Sequence, residues 1–411
     1  MGKTLKFGGG VWATKKGSTL AYNDEDGNFK PLPFTYTGAG KGTRVNKEGL
    51  IEVVENDRPR IDYLDSEDGV FLLEKAATNL NTYSDPTFAQ QGSTSYASIT
   101  YQDNYNWGLG NVINNAIVFG DNSTTRYAYY NSTVSSGTEY TLSAFIKMDD
   151  NSKPIPSTDF LIVLAGISFA SGYNVESYGN NIYRVSVSGI AGASNTANGI
   201  LKIASNSTKG FTISGFQVES GNLSSYIPTQ GTIQTRVAET ASGSGNSGVF
   251  NDSQGILYAN ISANADDLTQ RALGISDGTS SNRMSIVYND GSSNALRMFV
   301  SNPSGTKSYI TNSFNITQNN KISIKLNGTS LAFWVNGFEI HTDTLNSAFV
   351  NGTLDTFDFA FFDNNTPFYG KTKEIAYYDT VLTDIELETL TSYRTWEEMV
   401  KELNLNIIHN E

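Results

Sequence analysis

KISIKLNGTSLAFWVNGFEIHT, Lys321–Thr342, runs as short alternations of apolar and polar side chains parted by Asn327-Gly328 and Asn336-Gly337. An Asn-Gly pair supplies the positive φ that a tight hairpin needs, so the stretch predicts consecutive antiparallel strands. Trp334 sits among polar neighbours on one of these strands and reads as a core residue. The same grammar extends to both sides, in GILYANISA, RMSIVYND, ALRMFVSN and KSYITNSF before it and in FDFAFF and KEIAYYD after it. Residues 249–382 are therefore expected to form one antiparallel β-sandwich.

Further upstream, EYTLSAFIKM (Glu139–Met148), IYRVSVSGI, ILKIAS and FTISGFQVE repeat with period two between Gly, Asn and Ser clusters. That is the mark of half-buried antiparallel strands, and about eight such runs over residues 69–239 predict a second sandwich of jelly-roll type. ASGSGNSG (Ala241–Gly248) reads as a flexible linker, residues 240–248. Residues 1–68 are polar and irregular and are expected to form an extended N-terminal arm without a core of its own. At the other end, Thr383 stands three residues before Glu386, a capping box that opens a helical tail over 383–411. Its apolar residues predict one helix, or two broken near Tyr393, packed on the second sandwich or on a neighbouring subunit. The fold class expected is mainly β, two consecutive antiparallel sandwiches with an arm and a short C-terminal helix.

Composition narrows the chemistry. The chain has 411 residues with 28 Lys and Arg against 41 Asp and Glu, a net charge of −13, which repels polyphosphates and argues against a nucleic-acid partner. The absence of cysteine removes disulfides, thiolate nucleophiles and Cys-based metal sites, and two histidines make a His-ligated metal centre an unpromising idea. Neither a signal-peptide run nor a membrane-spanning run is visible, so cytoplasmic synthesis without membrane insertion is expected. The letters GAGKGT (Gly38–Thr43) suggest a phosphate loop, but Lys41 is followed by Gly42, and Thr35 stands where the first glycine belongs. No helix start follows, so nucleotide binding is excluded.

Three groups of residues remain as candidates. In YQDNYNWGLGN (Tyr101–Asn111), Tyr101, Tyr105 and Trp107 crowd a loop among Asn and Asp; stacking rings beside polar groups suit a glycan, while the alternative is buried anchoring of the loop. In DRPRIDY (Asp57–Tyr63), Arg58 and Arg60 alternate with Asp57 and Asp62, which predicts surface or interdomain ion pairs rather than a glycosidase carboxylate pair. Arg44 is expected to pair with Glu48, Glu52 or an acid of another subunit. Loop acids Asp277, Asp290 and Asp363, with Asn364, could hold Ca²⁺ but lack a ligand spacing; no other cofactor is expected, and no catalytic residues emerge.

Taken in order, TRVNKEGLIEVVENDRPRIDY, GVFLLEKAATNLNTYSDPTF, NNIYRVSVSGIAG and GFQVESGNLSSYIPTQGTIQTRVAE resemble the motif series of a widespread group of bacteriophage virion proteins. The match spans about Thr43 to Glu239, with Ile182 in place of an aromatic and Gln217-Val218-Glu219 in place of Gln-Leu-Glu. The resemblance implies a carbohydrate-binding-module-like jelly roll on a fibre, tail or capsid-associated protein. Such proteins are non-enzymatic and are often homo-oligomers, commonly trimers. They are assembled in the host cytoplasm beside other virion proteins and attach to host-surface polysaccharide. Residues 249–382 are similar to concanavalin-A-like, laminin-G-like domains. A polysaccharide depolymerase or tailspike enzyme would instead carry a repetitive parallel β-helix, and no such repeat is present. A purely architectural virion protein is the third alternative.

Overall fold

The computed structural model describes residues 5–23, 30–38, 40–87, 99–120, 126–163, 172–193, 197–202, 208–362 and 365–402. The hairpin stretch folds as expected, with strands Asn320–Asn327, Ser330–Val335 and Phe338–Thr344 pairing antiparallel. Asn336 takes φ 50° at the second turn. These strands end a large sheet that continues through Gln254–Ala263 to Gly370–Tyr378. A five-stranded sheet, Gly305–Thr311, Leu296–Asn302, Arg283–Tyr288, Arg271–Ser276 and Thr356–Asp358, faces it across the main core.

The expected N-terminal arm proves to be part of this sandwich. Leu5–Gly8 pairs with Gly370–Tyr378, placing Phe7 opposite Ile375, and the sheet runs on through Ser18–Asn23 and Lys30–Thr37. KPLPFTYT alternates outward and inward, so that Leu32, Phe34 and Tyr36 enter the core. Pro31 and Pro33 disguise the strand, yet both fall beyond the reach of its other neighbour, which pairs only with Thr35–Thr37. A missing N–H is tolerated there. That neighbour is Thr240–Ser242, so the supposed linker is also structural: Ala241 lies in the core and Ser244 pairs with Phe357.

The first sandwich is smaller. A six-stranded sheet ordered Thr100–Gln102, Ala116–Phe119, Phe211–Ser220, Glu139–Met148, Ile182–Ile190 and Asn174–Ser177 packs on a three-stranded sheet of Arg126–Asn131, Ala197–Lys202 and Leu161–Val163. Every strand pairing between these elements is antiparallel. Glu139–Met148 is central and buried on both faces, not one, because Thr141 and Ser143 lie under polar groups of the neighbouring segments. Where Glu139–Met148 and Phe211–Ser220 lose register, Gly215 has φ +63° and a Cβ there would meet the Phe145 ring at 2.5 Å. Val70–Leu73, expected to open this sandwich, instead joins the large sheet beside Gly370–Tyr378.

Two helices end the described chain, α1 (Asp384–Thr391) and α2 (Trp396–Glu402). The capping box at Thr383 and Glu386 is formed, and Ser392 stops α1 in an extended conformation just before Tyr393. Leu387 buries against Tyr258, Trp334 and Tyr378 on the outer face of the large sheet. Trp334 is thus buried as expected, but beneath a helix rather than between sheets. No helix among the described residues is long and apolar enough to cross a membrane.

Candidate functional site

The residues singled out in DRPRIDY part company in three dimensions. Arg58 is an exposed partner of Glu55 at 3.8 Å, a contact worth little in water. Asp62 is buried, and its carboxylate accepts from the backbone N–H groups of Val45 (2.7 Å) and Leu64 (3.2 Å); burial pushes its pKa up. Arg44 stands opposite Glu52 across a small hairpin and donates to it at 2.6 Å, so Glu52 rather than Glu48 is its partner.

Arg60 is completely buried and uses all five of its N–H groups. Nε donates to Glu239 (2.7 Å), Nη1 to Thr43 O and Ser225 Oγ (2.8 Å each), and Nη2 to Glu74 (2.7 Å) and to the second oxygen of Glu239. Arg236 joins from the other side, 3.1 Å from Glu74, and Tyr36 OH donates to Glu239 at 2.6 Å. Two guanidiniums thus neutralise two carboxylates in a space closed to water, as buried charge requires. Burial alone would raise the Glu74 carboxyl, but Arg236 and Arg60 outweigh it and hold it far below the ordinary range. Glycine in GAGKGT serves this joint: Gly38, at φ +127°, lets the chain pass where a Cβ would lie 2.8 Å from Glu239 Cα.

A second tie crosses between the sandwiches at Asp267, which accepts from Arg271 (2.6 Å), Asn222 (2.8 Å) and Lys75 (3.3 Å). Burial disfavours its charge, yet the Arg271 hydrogen bond brings its pKa down to about 2. A depressed carboxyl stabilises the fold above its unfolded pKa of about 4, and that contribution fades as pH falls towards the folded value. The gap in melting temperature between the wild type and Asp267→Asn is therefore expected to narrow between about pH 6 and about pH 2. A gap independent of pH would show that the tie is not ionic.

The aromatic loop is an anchor. Trp107 is 3% exposed, donates its indole N–H to Asn115 O (3.0 Å) and meets Tyr105 edge to face at 5.2 Å. Both pack with Val45, Ile51 and Tyr226, so neither face of Trp107 is open for a sugar. Tyr101 lies on strand Thr100–Gln102, half-buried against the core of the first sandwich. Trp107→Phe is expected to cost about 1–3 kcal/mol by orphaning the Asn115 carbonyl while leaving any glycan affinity unchanged; a selective loss of binding without loss of stability would restore the loop as a contact surface.

Of the loop acids, Asp277 accepts from Thr279 and Asn282, and Asp290 from Gln270 and Arg297. Asp363 and Asn364 fall outside the described residues. No group of three or more potential ligands gathers among the described residues.

What the sequence did not point to is a cleft that opens on the second sandwich and runs inward to the first. Its outer part, about 680 Å³, is bounded by the Tyr63–Glu67 segment, the Asn315–Asn319 turn, Lys371 and Lys373 of strand Gly370–Tyr378, and the end of α2. An inner chamber of about 260 Å³ continues to Glu176, Tyr178 and Arg184 of the first sandwich. Leu64, Ser262, Thr317 and Lys371 border both. Lys371 pairs with Asp65 (2.5 Å) and Lys373 with Glu402 (2.6 Å), while Asn319 donates to Glu402 and keeps a buried carbonyl oxygen without a partner. Burial works against the Lys371 ammonium, but Asp65 and Asp62 hold its pKa above the ordinary value. The walls come from several segments far apart in the chain, so no local motif announces them.

No family model and no curated protein matches the chain. Among solved structures it is similar to the CBM40 carbohydrate-binding module of a Ruminococcus gnavus IT-sialidase, at 18% identity and TM-score 0.31 over 37% of this chain and 94% of that one. A leech intramolecular trans-sialidase is similar at 16% identity and TM-score 0.30, over 38% of this chain and 27% of that one. Domain 4 of AbnA, a GH43 extracellular arabinanase from Geobacillus stearothermophilus, is similar at 13% identity and TM-score 0.32, over 42% and 82%. Identities this low transfer no residue roles.

Proposed function

We propose that this protein is a non-enzymatic structural component of a phage virion, homo-oligomeric and seated among other virion proteins, that attaches to a host-surface glycan through this cleft. The observation that carries the glycan reading is the cleft itself, 680 Å³ of open volume walled by amides, hydroxyls and carboxylate–ammonium pairs. A sugar hydroxyl both donates and accepts, so a wall that alternates acceptors such as Asp65 and Glu402 with donors such as Lys371 and Lys373 suits a polyhydroxylated chain. Half-buried Tyr63 adds an aromatic edge to the rim.

Support for the virion reading comes from what the motif series builds. Thr43, Arg60, Glu74, Ser225, Arg236 and Glu239, drawn from separate motifs, meet in one buried network. The antiparallel sheets of both sandwiches are unlike the parallel β-helix of a tailspike depolymerase.

The test is a glycan array probed with the full chain and with Thr317→Trp, which places a large ring at the exposed mouth shared by both parts of the cleft. Binding to a host-type polysaccharide that Thr317→Trp abolishes is the expected result. An array on which the wild type binds nothing, at high protein concentration, sinks the attachment reading.

A further inference from the structure

We propose that the inner chamber is the selective subsite of the cleft and that it takes a neutral hexopyranose, turning away sugars that carry a carboxylate. This rests on the reading that the cleft holds a glycan and adds which sugar it prefers.

Glu176 provides the starting point. It is half-buried on the edge strand Asn174–Ser177, it faces the chamber, and it has no hydrogen bond or ion pair among the described residues. The other acids that border the chamber differ: Asp62 accepts two backbone N–H groups, and Glu74 accepts from Arg60 and Ser225. An ionised carboxylate only accepts, so the donors Glu176 takes come from outside the protein, from water or from a ligand. Burial pushes its carboxyl up against the pull of Lys371, as a carboxylate short of donors should behave.

Opposite charge is close by but committed. Arg184 is 2% exposed and donates to Ser143 Oγ (3.0 Å) and Ser224 O (2.8 Å), and among the described residues no carboxylate lies within 4.0 Å of it. Lys371 reaches the same chamber while pairing with Asp65. A sugar hydroxyl can donate to Glu176 and accept from Lys371 at once. An ammonium on an amino sugar would meet Lys371 and Arg184. The carboxylate of a uronic or sialic acid set against Glu176 would meet Glu176 and Asp62, two like charges in a space partly removed from water. An uncharged ring satisfies Glu176 and Lys371 together and brings no charge to repel either.

The experiment is an array of neutral, uronic-acid-bearing and sialic-acid-bearing oligosaccharides probed with wild type, Glu176→Ala, Glu176→Gln and Thr317→Trp. Melting temperatures of all four are recorded first. The expected result is binding confined to neutral glycans and weakened about tenfold or more in Glu176→Ala, the scale of a lost charged hydrogen bond. Glu176→Gln, isosteric and free of the buried charge, should fold as well as wild type, weaken neutral binding and begin to admit acidic glycans. Preference of the wild type for acidic glycans overturns the inference, as does neutral binding unchanged in both Glu176 variants. If Thr317→Trp abolishes binding and the Glu176 variants do not, the cleft reading stands and this inference fails; if the wild type binds nothing, both fail.

Discussion

Arg60→Ala is expected to lower the free energy of unfolding by about 3–5 kcal/mol, the cost of breaking a buried ion pair and leaving its partners charged. Among the described residues Glu239, itself fully buried, would keep only the Tyr36 hydroxyl and the Glu74 N–H as donors, while Glu74 would keep Arg236 as its only cation. Arg60→Lys should recover little, since three ammonium donors cannot replace five N–H groups held in a fixed plane. Arg60→Met combined with Glu239→Leu removes charge from both sides and should cost clearly less than the sum of the single changes. Urea denaturation of the four proteins measures this. A loss below about 1 kcal/mol for Arg60→Ala would mean that the network is surface-like and does not clasp the sandwiches.

Much of this was visible in the chain before folding was considered, and the reasons for the rest are physical. Asn336-Gly337 and the period-two runs announce strands because hairpin turns and sheet faces are local properties. What a strand pairs with is not local. Leu5, Phe7 and Phe34 share a core with Met298 and Phe359, about 260 to 350 residues away, and nothing in LKFG or KPLPFTYT names that partner. DRPRIDY leaves Arg60 open between a surface and an interdomain ion pair because it shows neither Glu74 nor Glu239. Trp107 reads as either a sugar platform or a buried anchor of its loop because Asn and Asp surround it in sequence, and Val45, Ile51 and Tyr226, which surround it in space, lie in other segments. The cleft has no sequence signal at all, since Asp65, Thr317, Lys371 and Glu176 meet only after both sandwiches have formed.

Deleting residues 1–41 is expected to abolish cooperative folding of the second sandwich, an effect larger than that of any single substitution. Leu5–Gly8 covers one edge of Gly370–Tyr378, and without it that strand presents unpaired N–H and C=O groups along Glu374–Tyr377. The same deletion uncovers the rings that Phe7 and Phe34 touch, Phe71, Phe357 and Phe359, with centroids 5.1–5.8 Å apart in the intact chain. Burying each such ring contributes about 1.5–3 kcal/mol, and a few of them together rival the whole net stability of a domain, about 5–15 kcal/mol. An exposed edge beside an exposed aromatic cluster favours association, so the truncated chain should be insoluble or melt without a cooperative transition. Phe7→Ala in the full chain gives the graded version, a loss of about 3–5 kcal/mol with solubility retained. A truncated protein that stays soluble and melts cooperatively within a few degrees of the full chain would return the first forty residues to the status of a detachable arm.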